Sequence, residues 1–378
     1  QEYFADGIVE DIITALSRMK GLFVIARNSS FTYKGKAVDI KQVGHELGVR
    51  YVLEGSVRKA ANRIRITGQL IDASNGTHLW ADRFDGQIED VFDLQDHVTQ
   101  SVVAAIAPKL EQAEIDRSRS KPTHSLDAYD YFLRGMAAFH QFTREANSEA
   151  IDMFAKACER DPGYGAAYAM QARSYAQRKG FGWTVDYEGE SAKALDLALQ
   201  GADVGRDDAV ALAAAGFALV MFGDPADGDA LLDRALQLNP NLAWVWHMSG
   251  FSKALSGHAE FTVERAAMAM RLSPQDPQMF AMQNTTAIGH FLMGKYEDAL
   301  HWSQAALRDK PNFLFAAGVI AASNAMLGKT ENAASSLQRL LDMKPDLRIS
   351  NLGGWVAFKR REDFEVWADG LRKAGLPE

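Results

Sequence analysis

The sequence predicts an α+β chain in which a small α/β domain precedes an all-α array of stacked helix pairs. Three observations carry this. Prolines recur at a near-fixed spacing: Pro240 and Pro274 are 34 residues apart, as are Pro311 and Pro345, while Pro274 and Pro311 are 37 apart. Each follows one apolar helical run and precedes another, as in LNPNLAWVW and KPNFLFAAG, and such a period marks a supersecondary unit stacked on its neighbours. Strand-type alternation, by contrast, is concentrated between Tyr51 and Phe84. Between the two patterns lies the run DRSRSKPTHS (116–125), charged, serine-rich and broken by Pro122, which reads as a linker.

Within residues 1–115, Phe4, Ile8, Ile12, Ala15, Leu16 and Met19 form a 3.6-residue stripe that predicts a helix over 3–19. LFVIA (22–26) reads as a short buried strand, and IKQVGHELGV (40–49) as a helix leading into the strand YVLEGSVRKA. Leu53, Gly55 and Val57 alternate with Glu54, Ser56 and Arg58. After a turn at Ala61 and Asn62, Ile64, Ile66, Gly68 and Leu70 alternate with Arg63, Arg65, Thr67 and Gln69. Two such runs around a short turn predict a hairpin with one buried face. Ser74, Asn75 and Gly76 supply a second turn before a third strand, HLWADRF. From Ile88 to about Arg119 a long helix is expected, with Val91, Leu94, Val98, Val102, Ile106 and Leu110 on one face and Pro108 placed to kink it. The acidic groups Glu89, Asp90, Asp93 and Asp96 at its start suit the positive end of a helix.

Residues 126–347 divide into six units, near 131–164, 165–208, 209–242, 243–276, 280–313 and 314–347. Residues 348–378 read as capping helices, in which REDFEVWADGLRKAGLP shields the last apolar face. Two helices approach closely only where side chains are small. Ala150, Ala194, Ala299 and Ala333 stand early in the second helix of their units; Ala157, Ala235, Ala269 and Ala306 recur in the register seven residues later, and Gly216 and Gly250 match in the first helix. With GKYEDA (294–299) at an inter-helix turn, this pattern resembles the tetratricopeptide repeat. Departures are Arg206 in place of a closing proline, about ten extra residues in the second unit, and Gly228 and Thr262 where alanine is expected. The resemblance implies a solenoid that binds proteins or peptides.

Composition excludes several classes. A net charge of −8 argues against general nucleic-acid binding. The single cysteine, Cys158, allows no internal disulfide framework and suits a reducing, cytoplasmic setting; in AIDMFAKACERD it reads as a buried, inert thiol. The longest uncharged apolar run, Ala209 to Phe222, is too short to span a bilayer. No cofactor or metal is expected, because the nine histidines form no ligand-spaced cluster. GHFLMGKY (289–296) matches a phosphate-binding loop except that Tyr296 replaces the required hydroxyl residue, and it falls at a helix–helix turn rather than after a strand. No nucleophile–base arrangement is found.

Two surfaces are candidate partner sites. The first helices of the units place Phe217, Met221, Trp244 and His247 along an inner face, continued by Phe251, Asn284, Ile288 and Phe291. Aromatic rings, an amide and an imidazole with little charge would suit a helix or an extended peptide; Arg173 is the one cation placed there. The insertion GFGWTVDYEGE (180–190) is the other candidate, since its glycines accompany Trp183 and Tyr187.

The strings EYFADGIVEDIITALSR, FVIARNSSFTYKGKAVDIKQVGHELGVRYVLEGSVRKA and RIRITGQLIDASNGTHLWADRFD resemble the TolB-like domain of bacterial signalling proteins across nearly all of residues 1–115. That domain followed by tetratricopeptide repeats resembles the C-terminal half of class III adenylate cyclases, rhizobial ones in particular, and LRKAGLPE resembles their terminus. The family's opening strand is not found before EYFADG, so the expectation is a fragment cut inside the fold. The resemblance implies a catalytic domain upstream that makes cyclic AMP, a non-catalytic regulatory role for this chain, and a protein or peptide partner, and it allows a homodimer through the parent cyclase. The same order occurs in winged-helix transcriptional regulators, which leaves an effector arm, or a free-standing scaffold, as the alternative.

Overall fold

The computed structural model describes residues 2–19, 22–36, 38–60, 63–87, 91–120, 127–274, 276, 278–356 and 358–378. The chain divides into two compact units, Gln1–Thr123 and His124–Glu378. No helix among the described residues is long and apolar enough to cross a membrane.

The first unit contains α1 (Glu2–Ser17), α2 (Arg27–Ser30), α3 (Ile40–Leu47), β1 (Tyr51–Ala60), β2 (Arg63–Asp72), β3 (Thr77–Gln87) and α4 (Val91–Ser120). The strands form an antiparallel sheet in the order β1-β2-β3. Hairpin connections of this kind make the unit α+β rather than a parallel α/β layer. Ile64, Ile66 and Leu70 are buried, and they alternate with the exposed Arg63, Arg65 and Thr67. The buried set meets Ile8, Ile12 and Leu16 of α1 and Val98, Val102, Ile106 and Leu110 of α4 in one core. Gly48 ends α3 because it adopts φ 65°, a left-handed conformation that a side chain disfavours, and its N–H caps the last carbonyls.

Residues 22–26 are not a strand. Leu22 and Val24 lean on the core, whereas Phe23 is 86% exposed. The apolar pattern is strand-like, but β1, β2 and β3 pair only with one another, and no described strand offers 22–26 a ladder. Helix α4 runs through Pro108 and takes in residues 116–120 of the expected linker, with Ile115 and Ser118 buried. The rest of that linker, the Ala61–Asn62 turn, and Ile88, Glu89 and Asp90 lie outside the described residues, as do the side chains of Phe4, Val91, Asp93 and Leu94.

The second unit is built from six helix pairs: α5/α6 (Ala128–Phe139, Arg144–Arg160), α7/α8 (Gly165–Phe181, Tyr187–Val204), α9/α10 (Ala209–Phe222, Pro225–Leu238), α11/α12 (Ala243–Leu255, Ala259–Leu272), α13/α14 (Met279–Leu292, Tyr296–Asp309) and α15/α16 (Leu314–Met326, Thr330–Met343). The short α17 (Leu352–Trp355) and α18 (Arg361–Ala374) follow. Ala150, Ala157, Ala194, Ala235, Ala269, Ala299 and Ala306 have no exposed surface. Gly228 is tighter still: a Cβ there would lie 2.6 Å from the Gly216 carbonyl oxygen and 2.5 Å from Val220 Cγ2, which explains its departure from alanine. Thr262 is accommodated because its hydroxyl donates to the His258 carbonyl at 3.3 Å. Gly257, Gly294 and Gly328 share φ values of 88°, 72° and 71° at the turns inside the last three pairs. Gly289 lies within α13, so GHFLMGKY is a helix followed by a turn.

Candidate partner-binding surface

The inner face of the helical unit is aromatic, and an aromatic surface in water buries itself against whatever apolar surface it can reach. Here it reaches its own far end. Phe142, in the turn between α5 and α6, meets Phe280 of α13 edge-on at 6.2 Å. Phe181, closing α7, lies 6.2 Å from Phe313, which packs against Phe280 at 4.9 Å and Phe315 at 5.8 Å. The first two pairs therefore touch the fifth and sixth across the inner face. Phe142 has φ 52°, a conformation that costs a bulky residue about 1–3 kcal/mol and persists only where its surroundings over-determine it. Contacts to Phe139, Phe181 and Phe280 supply that constraint.

Beside these rings sits a buried polar cluster. The Arg173 guanidinium lies 4.1 Å from the Trp244 ring centroid and 5.0 Å from that of Phe139. His247 Nε2 is 3.1 Å from Thr285 Oγ1, while Asn284 Oδ1 is buried with no hydrogen-bond partner. Burial, reinforced by the Arg173 charge, holds the His247 imidazole down at about 3, so the ring is neutral at physiological pH.

Arg173, Met221, His247, Asn284, Ile288 and Phe291 are buried, so the expectation that they line an open groove is corrected. The helix faces are those the repeat predicts, but closure of the unit leaves them little solvent. Phe217, Trp244 and Phe251 are half-buried against the same core. Phe217 touches Phe251 at 6.2 Å and Phe251 touches Phe315 at 6.4 Å, whereas Phe291 packs on Trp367 of α18 at 5.6 Å.

The second candidate is more accessible. Trp183 stacks on Phe181 at 4.8 Å and is half-buried, whereas Val185 is 77% and Tyr187 49% exposed. Lys179 donates to the Met221 carbonyl at 2.6 Å and lies over both Tyr187 and Phe222. It is a second cation at the inner face that the repeat projection misses, because it stands two residues beyond the position aligned with Met221. Trp355 is missed as well, because it lies outside the repeats and enters the inner face from the C-terminal segment. Cys158 is buried, and burial pushes its thiol up to about 12, which removes thiolate reactivity. Among the described residues no group of three or more His, Cys, Asp or Glu is placed to hold a metal ion.

No protein-family profile matches the chain. A curated protein named "Putative adenylate cyclase 3" of Rhizobium meliloti (strain 1021) is 55% identical over 169 residues, which is 45% of this chain and 29% of that relative's length. Among solved structures, the Cut9–Hcn1 hetero-tetramer of APC/C aligns with TM-score 0.50 and 15% identity over 76% of this chain and 49% of that one. The human IFIT1 dimer with m7Gppp-AAAA aligns with TM-score 0.50 and 17% identity over 76% and 69%. At such identity these likenesses concern the fold alone. The chain is mostly helical, with a tetratricopeptide-like helix-pair fold and a small three-stranded antiparallel sheet.

Proposed function

We propose that this chain is a non-catalytic regulatory arm of a class III adenylate cyclase. Its first unit corresponds to a TolB-like domain, and its helical unit engages a protein or peptide partner whose binding biases the geometry of the cyclase. The observation that carries this reading is the 55% identity over 169 residues with a protein bearing a cyclase name. Two features support it: the helix–hairpin–hairpin order of the first unit and the helix-pair architecture of the second, a fold whose extended surfaces commonly recognise other chains.

The test is the coding sequence upstream of the codon for Gln1. A class III cyclase domain with its two metal-binding aspartates is the expected result. A winged-helix domain there would make the chain the effector arm of a transcriptional regulator, and a start codon within a few dozen residues would leave a scaffold; either outcome overturns the cyclase reading.

A further inference from the structure

The inner face of the helical unit is covered in part by a segment that belongs to none of the six pairs. After α16 the chain turns back, and α17 carries Trp355 onto Phe315, stacked at 5.3 Å with 23° between the ring planes. Gly318 makes room for this, since a Cβ there would lie 2.9 Å from the Trp355 ring. Trp355 and Val356 then border a small space with Val220 and Met221 of α9 and Phe251 and Leu255 of α11. The segment thus reaches from the sixth pair to the third.

A polar latch completes the crossing. The Lys359 backbone N–H donates to the Leu255 carbonyl at 2.8 Å, and Arg360 Nη1 donates to the Gly257 carbonyl at 3.2 Å. Both acceptors lie at the C-terminal end of α11, where the helix dipole favours cations. The Lys359 ammonium pairs with Asp224, the N-cap of α10, at 3.5 Å.

We propose that residues 352–356 and 358–360 are an intramolecular ligand: they occupy a seat on the inner face that also accepts a partner segment of the same chemistry. That chemistry is a tryptophan followed by a β-branched residue and, a helical turn later, a lysine–arginine pair. The proposal rests on the partner-binding reading of the helical unit and names the surface that reading requires.

The resident segment is built to exchange. Its helix has only four residues, two of which, Gly353 and Gly354, have nothing within 4 Å of a hypothetical Cβ, so they act as a hinge. The indole Nε1 of Trp355 is buried without an acceptor, and a ligand that supplied one would fit better than the chain's own tryptophan. The lysine and aspartate of the latch are 49% and 57% exposed, so the pair is open to screening.

The probe is a fluorescein-labelled peptide with the sequence of residues 349–362, ISNLGGWVAFKRRE, titrated against the full chain and against its Lys359→Glu variant. The Lys359 side chain is exposed and pairs with the equally exposed Asp224, so the substitution should leave helix content unchanged. The variant is expected to bind the peptide about tenfold more tightly than the wild type, because its seat is more often empty, and a peptide with alanine at the tryptophan should lose that binding. Equal affinity for the two proteins, binding by neither, or binding indifferent to the tryptophan overturns the proposal. In the unmodified chain, hydrogen exchange gives an independent reading. The Lys359 amide should exchange about tenfold faster than amides in the middle of α15, as expected of a locally opening segment; equal protection overturns the proposal. None of these outcomes depends on what lies upstream, so failure here and failure of the cyclase assignment are separable.

Discussion

Replacing Phe291 with alanine is expected to destabilise the chain by about 3–5 kcal/mol, the range for truncating a large ring in a closed core. Phe291 is 1% exposed and lies between Tyr296 at 5.4 Å and Trp367 at 5.6 Å. Gly370 of α18 approaches the same ring, because a Cβ there would meet Phe291 Cζ at 3.2 Å. The phenylalanine is therefore the surface on which the C-terminal helix docks. The cavity cannot collapse easily, since α13, α14 and α18 all border it and are held by other contacts. Urea unfolding followed by far-ultraviolet circular dichroism measures the loss. A change under 1 kcal/mol would place Phe291 at an open groove, as the repeat projection expects.

Acid should destabilise the helical unit well before its carboxylates titrate. His247 is held at about 3 by burial and the neighbouring Arg173, whereas in the unfolded chain an imidazole titrates near 6.5. Its folded-state value is lowered, so the neutral ring contributes stability that is fully present above about pH 6.5. As pH falls below that point the unfolded chain takes up a proton that the folded chain refuses, and stability is lost down to the folded value. Between pH 7 and pH 5 the loss is about 2 kcal/mol. The half-buried His290 is shifted in the same direction. Urea midpoints at the two pH values check this, and His247→Gln should flatten the dependence. Equal stability of the wild type at pH 7 and pH 5 would show that the His247 ring is hydrated.

The parts of the fold that were legible in the sequence are those written in short-range chemistry. Pro240, Pro274, Pro311 and Pro345 each stop a helix wherever the rest of the chain lies, and Ala299 or Gly228 records the distance of one neighbouring helix. The β1–β2 register follows from the alternation of Ile64, Ile66 and Leu70 with arginines and threonine. The misreading of 22–26 shows the limit: LFVIA has the residues of a strand, but a strand also needs a partner, which no window of five residues contains. The inner face failed for a similar reason. The repeat places His247, Asn284 and Phe291 on the inward helix faces, but whether an inward face is a groove or a core depends on how far successive pairs rotate. That rotation is the sum of many small packing differences. The positive φ of Phe142 and the Trp355 crossing are consequences of closure and have no local signature.

Closure itself is tested most directly by a double-mutant cycle on Phe142 and Phe280, measured as unfolding free energies of the wild type, Phe142→Ala, Phe280→Ala and the double variant. The rings meet at 6.2 Å although they belong to the first and fifth helix pairs. A coupling of about 0.5–1.5 kcal/mol is predicted for an edge-to-face pair in contact. Additive single effects, with no coupling beyond the error of about 0.3 kcal/mol typical of independent sites, would contradict it and return the inner face to solvent.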